Sequence, residues 1–149
     1  MHPALLHTHN ALRWVILIAG LLTVLKAVRG LKGDVPYASA RRSGVVFMAG
    51  LHLQLILGLV LFVVSPLVQH AMGDMAATMQ DAGTRFFIAE HPTLMVIAVV
   101  VATIGSIVSK NAADDAARHR KLLVYTGVTF LLLLAGIPWD RPLVPGMGG

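Results

Sequence analysis

The run Arg85-Phe-Phe-Ile-Ala-Glu-His-Pro92 leads into a stretch, Thr93 to Ser109, that holds no charged residue. A membrane span needs about 20 mainly apolar residues to cross roughly 30 Å of hydrocarbon. This stretch, with the run in front of it, meets that length. Reading it as a span decides the fold, because comparable apolar stretches lie on either side. Upstream are Asn10 to Gly30 and Gly44 to Ser65, and downstream is Leu122 to Ile137. The sequence therefore predicts an all-α membrane protein, a four-transmembrane-helix bundle. Its helices run over about 10–30, 44–65, 84–109 and 122–137, within one membrane domain spanning 1–149. The start of the third helix has two readings. Pro92 is its first helical residue, or the helix begins near Thr84 and Pro92 kinks it, as membrane helices tolerate.

Composition points the same way. Hydrophobic residues make up 56% of the chain and charged residues 13%, against roughly 45–50% and about 25% in soluble domains. A soluble fold of this size leaves too much surface to cover with so few polar groups. The absence of cysteine excludes disulfides, cysteine-ligated zinc, iron–sulfur clusters and covalent c-type haem. A pI near 10.3 does not indicate nucleic acid, because the basic residues flank the apolar stretches. That is the pattern of membrane topology.

Charge also sets the expected orientation. Lys26, Arg29, Lys32, Arg41, Arg42, Lys110, Arg118, Arg120 and Lys121 surround the loops after the first and third helices. Only Arg13, Arg85 and Arg141 lie on the other side. The positive-inside rule puts both termini and the Leu67–Gly83 loop outside. For a bacterial inner membrane the outside is the periplasm. The first ten residues carry three histidines and no Lys or Arg. A secretory signal peptide begins with a basic region, so the first segment reads as a retained helix. Gly44, Gly50 and Gly58 offer places for a neighbouring helix to approach closely. The Leu67–Gly83 loop, with its methionines, reads as lying on the membrane surface.

A rise of about 1.5 Å per residue converts sequence position into depth. His9 falls roughly 15 Å and His91 roughly 9–12 Å above the midplane, in nearly one layer. His52 falls about 5 Å below it, so one ion cannot be ligated by both His52 and His91. Among the seven histidines, the candidate pair is thus His9 with His91, or His7 with His91. Thr8-His9-Asn10-Ala11-Leu12 also aligns with Glu90-His91-Pro92-Thr93-Leu94, as a parallel repeat would.

Facing histidines in a four-helix bundle suit b-type haem, with Arg13 and Arg85 as candidate partners for its propionates. The same pair also suits a copper or zinc site, with His7 and Glu90 as further ligands. A site-free reading has both histidines bonded to lipid headgroups or loop backbone. Glu90 orients a histidine, or simply favours a helix start. His52, with Gln54, is an intramembrane polar pair. It lines a ligand pocket, or it hydrogen-bonds across the bundle to Thr23, Thr103 or Thr129. No Asp, Glu, Lys or Arg lies near the midplane, which argues against a proton-coupled pump. Trp14 and Trp139 suit the interfacial aromatic belt.

Four stretches carry a family resemblance: His7-Thr-His-Asn-Ala-Leu-Arg-Trp14, His52-Leu-Gln-Leu55, Arg85-Phe-Phe-Ile-Ala-Glu-His-Pro92 and Gly136-Ile-Pro-Trp139. In these the chain resembles a family of small bacterial four-helix membrane proteins, common in Bacteroidota and labelled "cytochrome B". The resemblance implies haem b and electron transfer, with quinone or as a small subunit of a larger redox complex. It assigns no ligands. Asp140 to Gly149 extends past the family's usual end. Two other functions stay open: a cofactor-free accessory subunit of a membrane complex, and a metal-binding protein of the periplasmic face.

Overall fold

The computed structural model describes residues 2–139. The Asp140–Gly149 extension and Arg141 lie outside the described residues. The chain folds as α1 (His2–Leu31), α2 (Tyr37–Val64), α3 (Pro66–Gly73), α4 (Met75–Gln80) and α5 (Ala82–Arg85). A π-helical turn (Phe86–Glu90), α6 (His91–Lys110) and α7 (Asp115–Gly136) follow. No strand occurs among the described residues. Three helical segments are long and apolar enough to cross a membrane: Pro3–Leu31, Tyr37–Val64 and Ala82–Lys110. In α7 the apolar part begins only at Leu122, after the charged first two turns.

The helices outrun the apolar stretches that mark them. Hydropathy reports the lipid-facing length, whereas caps and breakers decide where helical backbone starts. Thus α2 starts directly after Pro36, whose extended backbone precedes it. Likewise α7 starts after Asp114, whose carboxylate accepts from the Ala117 amide at 2.8 Å, as N-cap residues do. At the end of α1, Gly33 takes a positive φ of 86°. The Gly33 and Asp34 amides bond back to the Gly30 and Arg29 carbonyls. This closure needs a left-handed residue, and glycine adopts that conformation without steric cost.

The expected Leu67–Gly83 loop is largely helical. Asp74 caps α4 through the Ala77 amide, and Asp81 caps α5 through the Thr84 amide. Thr78 is buried and donates to the Ala71 carbonyl, which ties α4 to α3. Met72, Met75 and Met79 stay exposed.

The two readings of the third helix's start resolve into a single account. Helical backbone begins at Ala82, ahead of Pro92. Pro92 has no N–H and its ring crowds the carbonyl one turn back. The π turn absorbs this: the His91 amide bonds to the Phe86 carbonyl, five residues earlier. Such widened turns recur beside functional residues. This one lies immediately before His91.

Four long helical segments pack together. α1 lies against α2 and α7, and α6 lies against the same two, so α1 and α6 occupy opposite corners. The core holds Ile16, Ala19, Phe47, Leu51, Ala98, Val99, Ala102 and Leu133. Small residues let the helices close up. A methyl at Gly50 would meet Ile16, one at Gly44 would meet Leu122 and Thr23, and one at Gly58 would meet His9. The outward faces carry Val15, Ile18, Ile56, Val63, Ile107 and Leu131, all exposed, as a lipid-facing surface requires.

Candidate functional site

The diagonal placement of α1 and α6 brings His9 and His91 together. Their ring centres lie 6.4 Å apart with the planes inclined at 68°. His91 Nδ1 donates to the Gly136 carbonyl at the end of α7, at 2.7 Å. That bond fixes its tautomer and leaves Nε2 as the lone-pair nitrogen. Phe86 and Phe87 of the π turn stand 5.9 and 6.5 Å from the His91 ring. His9 is held from α2. Gln54 Nε2 donates to the His9 carbonyl at 2.9 Å, and a Cβ at Gly58 would lie 3.4 Å from His9 Cε1. His9 Nδ1 is buried without a hydrogen-bond partner in the chain.

The other candidates disperse. His7 is exposed. Arg13 lies one turn along α1 from His9, with its guanidinium 5.8 Å from the Trp14 ring centre. Arg85 is committed to Glu90 at 2.8 Å and to the Met79 carbonyl at 3.2 Å. Glu90 thus turns to Arg85. His52 faces outward, donating from Nδ1 to the Met48 carbonyl at 2.9 Å. Its Nε2 lies 3.4 Å from Thr103 Oγ1. Thr23 and Thr129 bond to carbonyls one turn back on their own helices instead. His52 and Gln54, grouped in the sequence, point to different sides of α2. Two residues along a helix is about 200° of rotation.

Sequence reasoning passed over the opposite end of the bundle. His119, only 2% exposed, packs there against Gly30 and lies edge-on to Tyr37 at 5.6 Å. The Tyr37 hydroxyl donates to Ser109 Oγ at 3.1 Å. It also passed over the Gln54–His9 link. The signal for that was the spacing of four in Gly50, Gln54 and Gly58, which aligns them on one helix face.

The donor set suits a transition metal. An imidazole nitrogen binds a metal at about 2 Å, so two imidazoles on opposite sides of one ion place their ring centres roughly 6 Å apart. The space is more restrictive. A cavity of about 20 Å³, lined by His9, Leu51, Gln54, Leu55, Met95 and Val99, adjoins His9; His91 is not part of its lining. The cavity holds one water or one ion. Cofactor sites run to roughly 300 Å³ or more. The 6.4 Å ring-centre spacing matches that of two imidazoles on one ion, and the cavity beside His9 has no room for a haem macrocycle. Among the described residues, no group of three His, Cys, Asp or Glu side chains is arranged to hold a metal.

No protein-family model matches the chain, and neither a curated protein nor a solved structure does.

Proposed function

We propose that His9 and His91 ligate a single transition-metal ion, and that the protein is a small redox subunit of a membrane. The observation that carries this is the 6.4 Å separation of two imidazoles across the bundle's diagonal. The cavity beside His9 has no room for a haem macrocycle, which favours a bare ion. Copper is the best match, since copper(I) accepts imidazole and soft thioether ligands and Met95 lines the cavity beside His9. A copper ion held there supplies one-electron exchange near one face of the membrane. The haem b implied by the "cytochrome B" resemblance uses the same two histidines. It requires the side chains of Leu51, Leu55 and Met95 to part.

The charge pattern supports four spans in a bacterial inner membrane, with α7 as the fourth and both termini periplasmic. On that orientation the metal lies on the periplasmic side.

The test is the protein purified in mild detergent after growth with copper and haem precursor. Metal analysis should find about one copper per chain, lost in both His9→Ala and His91→Ala. A reduced-minus-oxidised b-type band that vanishes in both variants would assign haem to the pair in place of the bare ion. A chromophore or metal that survives both substitutions would overturn the site. Protein free of metal and chromophore would leave the accessory-subunit reading in its place.

A further inference from the structure

The end of the bundle opposite His9 and His91 carries most of the chain's Lys and Arg residues, against Asp34, Asp114 and Asp115 as its acids. Asp114 is spent on the α7 cap, and Asp115 pairs with Arg118 at 3.0 Å. Even so, Arg41 Nε and Arg118 Nε are buried without a partner among the described residues. A guanidinium stays charged in proteins, so it cannot relieve burial by losing a proton as an imidazole can. A charged donor left without an acceptor also costs more than a neutral one.

Tyr37 gathers the two cations. The Arg118 guanidinium carbon lies 5.7 Å from its ring centre, within cation–π reach. Arg41 is one turn further along α2, on the same face as Tyr37. Tyr37 is itself fixed: its hydroxyl donates to Ser109 of α6, and its ring meets His119 of α7 edge-on. One guanidinium from α2 and one from α7 thus share a ring that three helices hold in place.

We infer that Arg41 and Arg118 bind the phosphate of an anionic phospholipid at this end of the bundle, beside Tyr37. The guanidinium fork matches phosphate oxygens two at a time. A lipid is favoured over a soluble phosphate because a lipid-facing surface begins close by. Ile104 and Ile107, exposed on α6 within two turns of Ser109, offer acyl chains a place to lie. On the orientation read from the charge pattern, this end meets the cytoplasmic leaflet, whose lipids are anionic. Basic pockets between membrane helices on that side hold such headgroups.

The test is native mass spectrometry of the full chain in mild detergent, with phosphatidylglycerol or phosphatidylcholine added. Salt of about 0.3 M screens exposed charges. One phosphatidylglycerol per chain should stay bound, and phosphatidylcholine should not. Arg41→Gln with Arg118→Gln should weaken binding about 30-fold, at roughly 5-fold for each guanidinium. Arg29→Gln with Lys121→Gln removes the same charge from exposed positions of the same end and should change it less than about 2-fold. Arg41→Lys with Arg118→Lys keeps the charge without the fork and should bind more weakly than native. Where circular dichroism shows that the first glutamine pair has not folded, the lysine pair carries the reading. Equal losses in the two glutamine pairs, or native-strength binding by the lysine pair, overturn the inference. So does equal retention of both lipids, or of neither. Release of the lipid by excess inorganic phosphate assigns the site to a soluble phosphate and overturns the lipid.

Discussion

The two ends of the bundle each set a histidine against a glycine of a neighbouring helix, and they differ in what surrounds the ring. At one end His119 occupies the space a Gly30 side chain would need, and Tyr37 closes its edge. At the other, His9 keeps ordinary contact distance from Gly58, faces a second imidazole and borders a cavity. Both rings have an Nδ1 without a partner in the chain. An unsatisfied nitrogen therefore does not distinguish a site from a packing element. What differs is the cavity beside His9 and the second imidazole 6.4 Å from its ring. His119 thus packs helix ends together, whereas the proposed site takes His9 as a ligand.

The sharpest way to break that contrast is one substitution made at both glycines. Gly30→Ala pushes a methyl into the His119 ring, whose contacts would fall below any real Cβ distance. The ring is 2% exposed and has nowhere to retreat. Overpacking of this kind costs about 1–3 kcal/mol. Gly58→Ala adds a methyl 3.4 Å from His9 Cε1, an ordinary contact, and should stay within about 0.5 kcal/mol of native. Thermal unfolding in detergent measures both. Equal losses, or a larger one at Gly58, would remove the distinction between a packed end and an open one.

The same contrast marks what the sequence could reveal. Hydropathy carried the three membrane-crossing helices, and rise per residue placed His9 and His91 in one layer and His52 in another. The structure holds that pair 6.4 Å apart, with His52 facing outward. Gly44, Gly50 and Gly58 were readable as approach points, since small residues serve membrane packing. The Tyr37 end was not readable. It joins Tyr37, Ser109 and His119 from three helices, and no spacing within one helix signals such a meeting. Nor was Gly136 readable as the partner of His91, because the group involved is a backbone carbonyl that any residue would supply. The caps at Asp74 and Asp81 were present in sequence. A methionine-containing segment with no long apolar run gave no periodicity to attach them to.

A smaller effect probes how tightly the Tyr37 end is held. Tyr37→Phe removes the hydroxyl that reaches Ser109 from α2 to α6 and leaves the ring against His119. Hydrogen bonds between membrane helices average about 0.6 kcal/mol, and the loss should be of that order. A double-mutant cycle with Ser109→Ala isolates the pair. Coupling near zero would mean that ring packing alone joins this end, and the Gly30 clash would then be its main vulnerability.

The smallest effect lies beside the His91 end, where Asp81 starts the turn that leads to the π turn. Its carboxylate accepts from the Thr84 hydroxyl and from the Thr84 amide. The hydroxyl bond is the main reason its pKa falls below the ordinary value of 3.8, with the amide bond next and Arg85 contributing less. A lowered folded pKa means that the ionised form is the one the fold prefers. The cap is then fully present above 3.8 and is lost as pH falls through the lower folded value. In the native protein the Thr84 amide resonance should titrate with a midpoint below 3.8. In Asp81→Asn the titration should disappear while the cap persists, because asparagine also caps helices. The group is fully exposed to solvent, so global stability should barely change. A native midpoint at or above 3.8 would show that Asp81 does not hold this turn, and that the orientation of His91 depends on Pro92 and the π turn alone.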